Sequence, residues 1–189
     1  KMLWREQIPH VIEANAASQK ADIRVISGQF KETDALPRPP HSWAAPAENK
    51  VNIYLITLAP EAEVTIPATS ASSTRFCYFY QGKSLELEGQ QMDVKHLAEL
   101  KPDAEIHLKG GLLESRILWL EGEPIGAPVA MRGPFVLNSE DELNAAFKRY
   151  RDTHFGEWPW PSPAPVFERK QPRFATYQGG EHKEYPEQL

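Results

Sequence analysis

Histidine, cysteine and carboxylate side chains are the groups from which a metal centre or a nucleophilic site is built. This chain offers six His and one Cys beside 26 Asp and Glu. Metal ligands must converge on one point, and in sequence that shows as His or Cys pairs at short fixed spacings. No two of these histidines stand at such a spacing. His10 and His41 follow prolines in loop-like segments, His96 sits in a polar strand-like stretch, and His154 and His182 lie near or in the tail. His107 alternates with Ile106 and Leu108 and shares its face with Glu105 and Lys109, the pattern of a solvated strand face. A site completed by a neighbouring chain stays open. Cys77 lies inside the aromatic run RFCYFYQG, where a buried inert thiol is expected rather than a nucleophile. The hydroxyls of SASSTR (70–75) have no His and Asp arranged beside them. The Gly pairs at 110–111 and 179–180 read as turns, and neither opens a helix that could cradle a phosphate. Taken alone, the chain is expected to carry neither a catalytic constellation nor a metal.

The elements that would have to position any site are strands. ADIRVISG (21–28) alternates Ile23, Val25 and Ser27 against Arg24 and Ile26 and stops at Gly28. KVNIYLITLAP (50–60) is apolar on both faces, as in a strand covered on two sides. EVTIP, RFCYFYQG, SLELEG, MDVKHL, AEIHLKGG and RILWLEGEP follow, each ending near Gly, Pro or a polar turn. That spacing implies an all-β sandwich or barrel rather than βαβ units. Between strands, KETDALPRPPHSWAAPAENK (31–50) carries four prolines and little periodicity. It reads as a long loop pinned by Trp43, functional or, by preference, covering an open sheet edge.

The character changes near residue 139. Ser139 followed by Glu142 fits a capping box, and Leu143, Ala146, Phe147 and Tyr150 make one apolar stripe. A helix this short is marginal alone in water, so the stripe must dock on something. Beyond it, prolines at 159, 161, 163 and 165 predict an extended strap on which Trp158 and Trp160 are large anchors.

Composition limits the function classes. With 21 basic against 26 acidic side chains, a net charge of −5 and a pI near 5.7, direct nucleic-acid binding is not expected. The cluster Lys148-Arg149-Tyr150-Arg151 is explained by the C-terminal end of a helix dipole. The longest apolar stretch, 51–58, is too short to span a bilayer, and KMLWREQ has no secretory apolar run. A single thiol is consistent with a reducing cytoplasm, which is the expected location.

EGEPIGAPVAMRGPFVLNSEDELNAAFKRYR (121–151) resembles the C-terminal part of pirin-family proteins, in which a GEPI strand leads to GPFVMN, an acidic cap and a short helix. Only Leu137, in place of Met, departs from that last motif. FGEWPWPSPAPV resembles the tail of bacterial pirins, and KMLWREQIPHVIE resembles the segment joining the family's two domains. The resemblance implies a bicupin, two jelly-roll barrels in tandem, with iron held in the N-terminal barrel by three His and a Glu. It implies quercetin 2,3-dioxygenase-like activity for the complete protein, or a role as a redox regulator. This chain is then an inter-domain segment (1–20), a C-terminal cupin-type jelly-roll barrel (21–138), a helix (139–152) and an extended tail (153–189). The metal-bearing barrel appears nowhere in it. The partner expected is that N-terminal cupin or a second copy of the chain, met by Phe135, Phe147, Tyr150, Trp158 and Trp160. The alternatives are that helix and strap cap their own barrel, or that they form a non-enzymatic module holding another protein.

A cupin metal motif follows His-x-His-x(3–4)-Glu-x(6)-Gly. Counting back from Gly82 puts Arg75 at the Glu position and Ala68 with Ser70, or Thr69 with Ala71, at the His pair. None of these is a ligand of the required kind, and Arg75 repels a cation.

Overall fold

The computed structural model describes residues 2–158, 162, 168–177 and 181–186. The chain divides into two compact units, the first over Lys1–Pro124 with Pro186–Leu189 and the second over Ile125–Tyr185.

The first unit is a sandwich of two antiparallel sheets. The larger contains β1 (His10–Ala14), β2 (Lys20–Ser27), β5 (Asn52–Leu58), β12 (Ser115–Gly122), β7 (Thr74–Gln81) and β10 (His96–Glu99), in that spatial order. The smaller contains β6 (Glu63–Ile66), β11 (Ile106–Gly110), β8 (Ser84–Leu87) and β9 (Gln90–Asp93). Two short strands, β3 (Gln29–Phe30) and β4 (Thr33–Asp34), pair with each other. The sheets remain two separate layers, so the jelly roll is a sandwich rather than a fully closed barrel. Alternate residues of each strand face inward, as the two-residue side-chain period demands. Ile23, Val25, Ile56, Leu58, Ile66, Cys77, Phe79, Leu108, Ile117 and Trp119 make up much of this buried core.

Three details differ from the sequence reading. MDVKHL is not one strand: it turns at Val94–Lys95, with Lys95 in the left-handed region at φ 67°, and splits into β9 and β10, which lie in different sheets. The outer face of β5 is half-buried rather than fully covered. His10–Ala14, in the segment expected only to lead into the domain, pairs with β2 at the edge of the larger sheet.

The second unit contains the hairpin of β13 (Ala130–Arg132) and β14 (Phe135–Leu137), helix α1 (Glu140–Thr153), and the hairpin of β15 (Ala175–Tyr177) and β16 (His182–Glu184). The tail is therefore not extended throughout. Past its proline run, where backbone donors are available again, it folds back on itself. Ser139 caps α1 by accepting from Glu142 N–H at 3.2 Å, while the Glu142 carboxylate accepts from Asn138 N–H at 3.0 Å. The helix stops at His154, whose left-handed backbone lets its N–H reach the Tyr150 carbonyl. Among the described residues, no helix is long and apolar enough to cross a membrane.

Candidate functional site

The inward-facing residues of the larger sheet become polar at one end of the sandwich. Along β2 the buried sequence runs Ala21, Ile23, Val25, then Ser27; along β12 it runs Ile117, Trp119, then Glu121, with the small hydroxyl of Ser115 buried at the other end. Arg75, near the start of β7, lies opposite Glu121 in the antiparallel register and points to the same interior. Arg75 is 0% exposed and Glu121 8%.

Every arm of this guanidinium is engaged. Arg75 Nε donates to Glu121 Oε2 at 2.7 Å, Nη1 to the Ala104 carbonyl at 2.8 Å and Nη2 to the Pro67 carbonyl at 2.7 Å. Pro67 directly follows β6, and Ala104 lies just before β11, so one side chain of the larger sheet ties down two chain segments of the smaller sheet. Its guanidinium carbon also lies 5.3 Å from the centre of a Trp119 ring. Glu121 is equally occupied: Oε2 accepts from Trp119 Nε1 at 3.1 Å, and Oε1 accepts from Asn52 Nδ2. Charged groups survive in a dry interior only when paired and hydrogen-bonded, and this pair meets both conditions.

Local backbone makes room for the network. Gly28 ends β2 at φ 83°, and a Cβ placed there would lie 1.6 Å from Asn52 Oδ1. The missing side chain lets Asn52 accept from Gln29 N–H at 3.0 Å while donating to Glu121. Tyr54 Oη donates to the Gln29 carbonyl. Burial first, and the nearby Glu121 carboxylate second, push the Tyr54 phenol well above its ordinary pKa, with Arg75 opposing them.

The position counted from the cupin motif thus holds a guanidinium ion-paired inside the fold. Iron, the metal that the family resemblance implies, does not fit these residues. The interior carboxylate already meets Arg75 on one oxygen and Asn52 on the other, and the described residues contain no group of three or more His, Cys, Asp or Glu able to hold a metal ion.

The other sequence candidates are dispersed. His107 stands half-exposed between buried Ile106 and Leu108, with Nε2 3.8 Å from Glu63. His10 Nδ1 lies 3.1 Å from Asp22, and His96 Nδ1 3.3 Å from the Val94 carbonyl. Cys77 is fully buried, and desolvation raises its thiol pKa to about 12, so it is inert near neutrality. SASSTR serves as a carboxylate cradle: hydroxyls of Ser72, Ser70 and Ser73 hold the Glu123 carboxyl below its ordinary pKa.

Of the residues expected to meet a partner, the second unit gathers three. Phe135 packs edge-on to Phe147 with centroids 4.7 Å apart, and to Tyr150 at 6.2 Å. Phe155, which sequence reasoning passed over, completes the cluster 5.3 Å from Tyr150. Arg132 lies over Phe147 and bonds Glu140 and Asn144. Trp158 is 55% exposed, donates from Nε1 to the Ser162 carbonyl at 2.7 Å and borders a hollow with Tyr150, His154 and Glu157. Trp160 lies outside the described residues. Sequence reasoning also missed Glu121 as the partner of Arg75; the signal was an acid placed on the inward face of an otherwise apolar strand.

A two-layer antiparallel jelly roll with polar inward residues at one end defines a cupin-type domain. The Pirin C-terminal cupin domain matches residues 53–156, over half of the chain, and the protein belongs to that family. It is 37% identical over 132 residues to a Pseudomonas aeruginosa protein called "Putative quercetin 2,3-dioxygenase", covering 68% of this chain and 42% of that one. It is 32% identical over 107 residues to Pirin-1 of Arabidopsis thaliana, covering 53% of this chain and 36% of the relative. The chain thus spans less than half the length of these relatives. Its fold is similar to that in a crystal structure of quercetin 2,3-dioxygenase from Acinetobacter baumannii, with a TM-score of 0.66 at 19% identity, over 82% of this chain and 49% of that one.

Proposed function

We propose that this chain is the metal-free C-terminal half of a pirin-type bicupin. Its role is to stabilise an N-terminal metal-bearing cupin and to shape the approach to that half's site. The complete protein then acts in the cytoplasm as an iron-dependent oxidoreductase of the quercetin 2,3-dioxygenase kind, or as a redox regulator, with the iron held by the N-terminal half. One observation carries the assignment: the carboxylate inside this domain is already neutralised by Arg75, at the position where a metal-binding cupin motif would have its Glu. The name of the Pseudomonas aeruginosa relative supports the activity class, and the greater length of both relatives accommodates a second cupin. Phe135, Phe147, Tyr150, Trp158 and Trp160 are the proposed contacts with that cupin or with a second copy of the chain.

A second reading has its own support. Ile125, Val129, Met131 and Val136 are 65%, 76%, 70% and 59% exposed, an apolar display suited to a non-enzymatic interaction module. Oxygen consumption by the complete protein with quercetin, before and after chelation of iron, separates the two. The bicupin reading expects iron-dependent turnover by the complete protein and none by the 189-residue chain. A stoichiometric protein partner without turnover would favour the module.

A further inference from the structure

A cavity of about 530 Å³ opens at the polar end of the sandwich, between the two sheets. The long loop of residues 31–50 lines this cavity with five of its residues, Lys31, Asp34, Arg38, Ala47 and Lys50. The loop is held in place: Trp43 Nε1 donates to the Glu123 carbonyl at 2.9 Å, and Asn49 Nδ2 to the Trp43 carbonyl at 2.7 Å.

The charges on the lining do not cancel. Lys31 pairs with Glu13 outside the cavity, and Glu121 is neutralised from beneath by Arg75. Among the lining residues this leaves two cations, Arg38 and Lys50, and one further carboxylate, Asp34, in a chain whose net charge is −5. The field of Lys50 also reaches Glu123, as the last in order of the influences on that carboxyl. Arg38 Nε is buried and has no hydrogen-bond partner among the described residues. A buried donor left unsatisfied is costly, Arg38 is one of the residues lining the cavity, and a guanidinium is suited to pair with a carboxylate. The remaining wall includes Pro67, Ala68 and Val51, so an occupant meets apolar surface beyond the cations. A volume of this order is that of a small-molecule site.

We propose that this cavity binds a small organic monocarboxylate, its carboxyl group on Arg38 and Lys50 and its apolar body against Val51, Pro67 and Ala68. The site belongs to the first unit alone and is independent of whether the complete protein is an oxidoreductase.

The test titrates the 189-residue chain with benzoate while following backbone and Arg38 Nε signals by ¹H–¹⁵N NMR. Benzamide, its neutral counterpart, acetate and inorganic phosphate serve as comparison probes. Expected are saturable benzoate shifts at Arg38, Lys50 and Thr69, with benzamide and acetate each binding at least about tenfold more weakly, the scale of one charge-assisted hydrogen bond or a buried ring. Arg38→Gln should weaken benzoate by about tenfold, and Lys50→Gln by less. The proposal is overturned if benzamide binds as well as benzoate, if the shifts fall elsewhere, or if no saturation occurs. Phosphate or acetate matching benzoate would overturn the carboxylate-plus-apolar-body class. The benzoate–benzamide comparison on the unaltered chain decides the matter even if a variant fails to fold.

Discussion

The two units handle their polar and aromatic residues in opposite ways. In the sandwich, one guanidinium and one carboxylate are sunk among apolar side chains, and nearly every donor and acceptor around them is answered. In the unit beginning at Ile125, Phe147, Tyr150 and Phe155 gather around Phe135, while large aliphatics nearby in sequence stay exposed. A network that is fully satisfied resists change, because removing any member leaves the others desolvated and unpaired. An apolar display resting on one short helix has little internal stability to lose and much to gain from being covered. The contrast is between a structural interior and the surface proposed above to meet a partner.

The largest effect should come from breaking the interior pair. Arg75→Met leaves Glu121 buried without a counter-charge and should cost about 3–5 kcal/mol, read by urea unfolding. The double variant Arg75→Met with Glu121→Leu should recover much of this, since an apolar replacement removes both desolvation penalties. If the single variant is neutral, the pair is not the structural centre described here. Leu143→Ala, at the one fully buried position of α1, should cost about 2–5 kcal/mol, at the upper end only if the site cannot collapse. Hydrogen exchange should locate that loss in α1 and leave the strands around Arg75 protected. Ser139→Ala should remove about 1 kcal/mol from the same helix and leave the sandwich unchanged.

Two titrations sharpen the contrast at smaller scale. Cys77 has an ordinary pKa of 9.0 and a folded value of about 12. The folded state therefore keeps its proton while the unfolded state loses it. Stability is full below about 9 and declines as pH rises towards 12, a decline that Cys77→Ala should remove. The native thiol should also resist thiol reagents at pH 8 until the sandwich unfolds. Glu123 has the opposite sign: its folded pKa is lowered, so its contribution is present above the ordinary value of 4.5 and is lost as pH falls through the lowered one. Glu123→Gln should flatten that acid-side loss by a small amount, since the group is solvent-accessible.

Much of the fold was legible in the sequence because its strands alternate strictly. Ile23, Val25 and Ser27 fall inward as their spacing requires, and the Ser139–Glu142 cap marks the helix start to within a residue. The split of MDVKHL was hidden because Lys95 takes a left-handed turn without a glycine to announce it. Motif counting singled out Arg75, but its partner required three dimensions: Glu121 is 46 residues away and becomes its neighbour only through the β7–β12 register. The cavity was invisible for a similar reason. Arg38 and Lys50 sit in a stretch without periodicity, and nothing local shows that this loop bends over the end of the sandwich.

The proposed function rests on the chain's own guanidinium taking the electrostatic place of a metal inside this cupin domain. The most direct measurement is the iron content of the 189-residue chain after anaerobic incubation with excess Fe(II) and removal of free metal, beside the variant Glu121→Gln. The account predicts only trace iron in both. Stoichiometric iron in the unaltered chain, lost on replacing Glu121, would contradict it.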